Sequence, residues 1–235
     1  MSAECRIPRL VVAVVAAMLL TVVGCAVRPD AASTANNTVA VAGSQTFPAS
    51  SESDWVSYPS ELAVVTVTDE RELPADGVLA DMGYGYLGRA VAVRVDSVLW
   101  RDPRERAVPR KFEIVTWGWI VGQDGTRREA KPSDSPRLEV GRRYAIPLTY
   151  ADDRIGPLSD HSVAPLDGGD IIRLDPGQID EVLEKYDQQA VSALRSAIQS
   201  ATPDPRAERH RDLPPAQRAR VVIQERYDAE KGNGG

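Results

Sequence analysis

The sequence predicts a mainly β domain, a small barrel or sandwich, followed by a C-terminal amphipathic helix and a possible second, shorter helix. Three observations predict it. Between Trp55 and Leu174 apolar residues alternate in short runs separated by breaks rich in Gly, Pro and Asp. After Leu174 the apolar spacing lengthens to that of a helix. The composition, 43% hydrophobic and 26% charged over 235 residues, is that of a folded globular chain with room for one or two domains.

Leu62–Val67 reads as a short apolar strand and 69–81 as a polar loop containing Pro74 and Gly77. In 89–100 the odd positions Val91, Val93, Val95 and Leu99 form one face, opposite Ala90, Ala92, Arg94 and Asp96, which makes a long half-buried strand. Arg101 to Pro109 holds two prolines among charges and reads as a surface loop. The next strand, 111–121, places Val115, Trp117, Trp119 and Val121 on one face, and Asp124-Gly125 supplies the turn of a hairpin. A further strand runs from Arg143 to Tyr150. Pro147 cannot donate to a ladder, so this strand is expected at an edge or at a bulge. Gly168-Gly169 then turns the chain into a last strand, 171–174.

Asp175-Pro176-Gly177-Gln178 has the order of a helix start, with a capping Asp, a Pro at the first position and a Gln at the third. Ile179, Val182, Leu183, Tyr186, Ala190, Leu194 and Ile198 fall on one stripe, predicting a helix over 178–200 docked on the β domain. Pro203 and Pro205 end it. Leu213-Pro214-Pro215 opens the second helix, to about Tyr227, and 231–235 is expected to be a disordered tail.

The N-terminus carries an address. Arg6 and Arg9 precede an apolar run, Leu10 to Val23, of 14 residues. Such a run spans about 21 Å, short of the roughly 30 Å hydrocarbon core, so the layout is that of a signal peptide and not of a permanent membrane helix. The run ends in Val22-Val23-Gly24-Cys25, which resembles the lipobox of bacterial lipoproteins. The resemblance implies that 1–24 is removed, that Cys25 becomes the first residue, and that its thiol carries a diacylglycerol. It places the protein at the outer face of the cytoplasmic membrane, held by the lipid on Cys25. Cleavage would remove Cys5 and lipidation would occupy Cys25, leaving no thiol for a disulfide. Residues 25–54, rich in Ser and Thr without a sustained period, read as a flexible tether to a β domain over 55–174 and a helical segment over 175–230.

The strand 89–100, the strand Phe112–Trp117, and Glu139-Val140-Gly141-Arg142-Arg143-Tyr144 leading into a later strand resemble the OB-type barrel of netrin-like modules. The chain as a whole resembles the uncharacterised cell-envelope lipoproteins of actinobacteria, which implies a location and no activity.

Chemistry-bearing motifs are few. The formal charge of −6 opposes binding of nucleic acid and other polyanions. Gly83-Tyr84-Gly85-Tyr86-Leu87-Gly88 has the spacing of a dinucleotide loop but opens a strand where that loop must open a helix, so it reads as a turn. Tyr84 and Tyr86 would then project as a contact surface. Trp117 and Trp119 are either core or a stacking platform. Asp160-His161 is the one acid–histidine neighbourhood of the β region and reads as a surface loop. Asp152, Asp153, Asp160, Asp167 and Asp170 would have to converge to serve a hydrolase. They lie in loops on one side of the last strands. No metal, cofactor or catalytic set is expected. The sequence favours a non-catalytic envelope module that binds a protein, glycan or lipid, with Tyr84, Tyr86, Trp117 and Trp119 as the candidate surface. The alternatives are a lipid carrier with a cavity between helix and barrel and a carboxylate-dependent hydrolase.

Overall fold

The computed structural model describes residues 38–41, 47–75 and 85–232; Cys5, Cys25 and Tyr84 lie outside them. The fold is mainly β. Among the described residues nine strands form one sheet: β1 (Thr38–Val41), β2 (Glu61–Ala75), β3 (Gly85–Arg101), β4 (Lys111–Val121), β5 (Arg127–Pro132), β6 (Arg143–Ala151), β7 (Arg154–Pro157), β8 (Ala164–Asp167) and β9 (Ile171–Ile172). The same residues hold four helices: α1 (Glu52–Ser57), α2 (Val191–Ser200), α3 (Pro205–Arg209) and the C-terminal α4 (Pro215–Gly232).

The strand order is β1-β5-β4-β3-β2-β6-β8-β9, with β7 also paired to β6. All pairings are antiparallel except β1 with β5. The β6–β7 hairpin curls back so that β7 lies against β4, but no ladder joins those two strands, and the sheet is open.

Strand β2 divides the interior into two cores, because neighbouring residues on a strand point to opposite faces. Ala63, Val65 and Val67 enter the cluster inside the curl with Val91, Val93, Ile114, Tyr144, Ile146 and Leu148. Leu62 and Val64 face outward into a second cluster with Trp55, Leu183, Leu194, Ile198 and Val222, where the helices cover the sheet.

Several sequence expectations change where tertiary pairing outweighs local composition. The polar stretch 69–75 is strand, not loop: β2 stays paired with β3 to Ala75, across register shifts after Val67 and after Glu72, and cross-strand ion pairs hold its charges, with Arg71 on Glu113 at 2.7 Å and Glu72 on Arg127 at 2.6 Å. Leu99 leaves the face of Val91, Val93 and Val95. Leu62 pairs with Trp100 and Ala63 with Val98, so Leu99 is an extra residue, and this bulge turns it into the helix-side core. Strand β6 is paired on both sides despite Pro147. Strand β8 pairs with 143–145 and β7 with 148–151, so Pro147 falls in the break between them. The last strand is shorter than expected, ending at Ile172.

The single helix over 178–200 is not formed. Gln178 does accept the Asp175 N–H at 3.3 Å, as a capping Gln would, but Gly177 has φ +80° and Gln188 φ +61°, both left-handed. Between them the chain makes a short 3₁₀ turn, Leu183–Tyr186. It then pairs with β9: Ile172 N–H donates to the Gln189 carbonyl and Gln188 N–H to the Ile172 carbonyl, each at 2.8 Å. Val182, Leu183, Leu194 and Ile198 still enter the core, now from two short pieces, while Ile179 is 58% exposed.

Residues 47–54, which composition assigns to the tether, pack in the fold. Phe47 and Ala49 are buried, and Ser51 caps α1 by accepting the Asp54 N–H at 3.2 Å.

Candidate functional site

The sheet brings Tyr86 and Trp117 together and sends Trp119 elsewhere. Gly88 pairs with Trp117 and Leu87 with Trp119, leaving Gly118 as the extra residue of a bulge. Trp117 and Trp119 therefore face opposite sides of the sheet, against the alternation expected from 111–121. Only glycine fits the bulge, since a Cβ at position 118 would lie 2.3 Å from the Leu87 carbonyl oxygen.

On the outer side, the half-buried Tyr86 and Trp117 rings meet edge-to-face with centroids 5.3 Å apart, beside Val115, which is 54% exposed. On the inner side, the Arg137 guanidinium lies over the Trp119 ring, 5.4 Å from its centroid. Arg137 is buried and donates Nη1 to the carbonyls of Gly118 at 3.0 Å and Ala130 at 2.8 Å. Burial, and then the charge of Arg89, lowers its pKa. Trp119 is thus stacked with Arg137 on one face and Trp117 with Tyr86 on the other, both rings half-buried.

The Trp117 side chain hydrogen-bonds the Asp160 carboxylate, whose pKa burial raises. Asp160 and His161 are the middle residues of a turn closed by the Ser162 N–H on the Ser159 carbonyl at 3.2 Å, and the His161 ring meets the loop 132–136. There its Nδ1 lies 3.2 Å from the Asp134 carbonyl oxygen and 3.1 Å from Ser135 Oγ. The Asp134 carbonyl can only accept, whereas the Ser135 hydroxyl can donate to or accept from that nitrogen. Ser135 is buried, and its hydroxyl also lies 3.4 Å from the Ser133 carbonyl oxygen.

His161 lines a cleft of about 250 Å³ with Ser50, Asp134, Ser159, Ile179 and Asp180. Asp180 is buried at its rim, accepting the N–H of Leu183 at 2.8 Å and of Val182 at 3.0 Å. Its pKa is pushed up to about 6, chiefly by burial, while those two N–H groups and His161 pull the other way.

No family model, curated protein or solved structure matches the chain. Any reading of the site therefore rests on its own geometry.

Of the sequence candidates, Tyr86 and Trp117 meet, Trp119 lies on the other face, and Cys25 and Tyr84 lie outside the described residues. The five aspartates do not share one side of the last strands. Asp152 and Asp153 follow the end of β6, whereas Asp167 and Asp170 flank the β8–β9 turn, which lies beside the start of that strand. Asp170 and Asp167 are ion-paired with Arg143 and Arg173, each at 2.5 Å. The grouping of Asp134, His161 and Asp180 was hidden in the sequence because it joins three loops. The one local signal was the Pro132–Pro136 loop, whose Asp and Ser favour turns that present side chains.

Proposed function

We propose that this chain is a non-catalytic binding module of the cell envelope, held at the outer face of the cytoplasmic membrane by a lipid on Cys25. The contact surface is the outer side of β3 and β4 around Tyr86 and Trp117. The observation that carries this reading is the ring pair itself: two aromatic side chains on rigid strands, oriented by each other and by Asp160, next to an exposed valine. Such residues contribute much of the energy of recognition because they bury large area at low entropic cost. The curl of β4, β3, β2, β6 and β7 around one apolar cluster supports a relation to OB-type barrels.

Two observations weigh against the other readings. The separation of Asp152 and Asp153 from Asp167 and Asp170 along β6 weighs against a hydrolase built on those four carboxylates. Leu183, Leu194, Ile198, Ala219 and Val222 fill the contact between helices and sheet where a lipid carrier would need space.

The test is sedimentation of residues 25–235 with purified cell-envelope material. Trp117→Ala and Tyr86→Ala should each reduce binding at least tenfold with unchanged thermal unfolding. Binding unaffected by both variants, or turnover of envelope esters or glycosides that disappears in the aspartate variants, would sink the reading. Mass spectrometry of the cellular protein should find the acyl groups on Cys25.

A further inference from the structure

We infer that residues 204–232 form an ionic latch, a strap that lifts from the rest of the fold as one unit while the strands stay closed. The inference stands apart from the envelope reading. The strap comprises α3, α4 and the residues between them, and it adds no strand to the sheet, so lifting it breaks no ladder. Its fully buried apolar side chains are Ala207, Ala219 and Val222, all small. By contrast, α2 is held by Leu194 and Ile198, both deep in the helix-side cluster. A segment that buries so little apolar area is drawn from the low-stability end of a fold and depends on its polar ties. Between α2 and the strap the chain is extended, with ψ 143° at Ala201 and Pro203 two residues on, which makes 201–203 the hinge.

The ties are mostly guanidinium groups of the strap on carboxylates of the body. Arg211 donates to the Ser57 carbonyl at 2.7 Å and to Asp102, Arg218 to Glu105 at 2.5 Å, and Arg226 to Asp54 at 3.0 Å. Arg104 reaches back to Glu208 at 3.2 Å. The Asp54 and Asp102 side chains are each 2% exposed, so their carboxylates give up water when the strap docks. That loss offsets much of the attraction, and when the strap lifts both partners of a pair return to water together, so opening costs little. The pairing is also incomplete. Arg218 Nε and Nη1 and Tyr58 Oη are buried without a partner, and the charges of Arg226 and Arg218 act on that hydroxyl. These groups regain water in the open state, which favours it further. Lifting uncovers Asp54, Asp102 and the part of the helix-side cluster that Ala207, Ala219 and Val222 cover.

The test is native-state hydrogen exchange of the full-length protein, read by mass spectrometry over α4, β2 and β3. A detached helix of 18 residues is marginal in water, so the α4 amides exchange whenever the strap lifts. They should exchange about 100-fold or more faster than the best-protected amides of β2 and β3. Arg211→Ala leaves Asp102 buried and uncompensated in the closed state alone, and should speed α4 exchange about tenfold or more. If that variant fails to fold, Glu208→Gln, at a more exposed tie, should give a rise of about threefold. Ile114→Val weakens the cluster inside the curl equally in the closed and open states. It should speed exchange in β2 and β3 about fivefold and leave α4 unchanged. Exchange of α4 at the rate of the strands, a rise in α4 that matches the strands in Ile114→Val, or no rise in α4 with the arginine or glutamate variant would overturn the proposal.

Discussion

Tyr86 and Trp117 meet edge-to-face on the outer side of β3 and β4, while Trp119, two residues farther along, packs under Arg137 on the inner side. The bulge at Gly118 produces this division and sets the face on which each of the two half-buried rings lies. The strand register thus sets the surface chemistry.

Gly118→Ala should be costly. The added methyl would meet the Leu87 carbonyl, a backbone atom that has no rotamer by which to retreat. A loss of about 1–3 kcal/mol or more is expected in urea unfolding, with a changed Trp emission spectrum. A loss under about 0.5 kcal/mol would show that the bulge relaxes freely.

Asp180 should impose a recognisable pH dependence. Its folded pKa, about 6, lies above the ordinary value of 3.8, so the protonated form is favoured by folding. The stability it contributes is complete below the unfolded pKa and is lost as pH rises through about 6, by up to roughly 3 kcal/mol. Asp180→Asn keeps an oxygen to cap Val182 and Leu183. It should remove that decline, so the difference between the two chains grows from pH 4 to 7. Parallel curves would refute the assignment.

Arg226 joins Asp54 at 3.0 Å and Asp204 at 2.8 Å, linking α4 to α1 and to the cap of α3. Both carboxylates are buried, so Arg226→Ala should cost about 2 kcal/mol or more by leaving them uncompensated. Adding Asp54→Asn should recover part of the loss. A strictly additive double variant would mean the three groups act independently.

Leu183→Ala and Leu194→Ala, made separately, should each cost about 2–5 kcal/mol, since both side chains are fully buried in the cluster under the helices. Their equal sensitivity would be notable because one sits in a 3₁₀ turn and the other in α2. Losses under about 0.5 kcal/mol in both would place this segment outside the cooperative core.

The sequence by itself determined the features that depend on local order. Alternation in 89–100 and 111–121 marked the central strands, Asp124-Gly125 marked the hairpin of β4 with β5, and Pro214-Pro215 marked the start of α4. Val182, Leu183, Leu194 and Ile198 were legible as core residues because apolar spacing survives a change in the backbone that carries it. What only tertiary structure decided were the places where a distant partner competes with local preference. Gln188 and Gln189 bond to Ile172 instead of continuing a helix, since the strand edge of β9 offers them partners. Residues 69–75 remain extended because charges on β3, β4 and β5 face theirs. Gly118 separates two tryptophans because a bulge depends on the register between strands, and composition holds no record of register. His161 meets Asp134 and comes near Asp180 because folding closes loops that are tens of residues apart, and that contact carries no period along the chain.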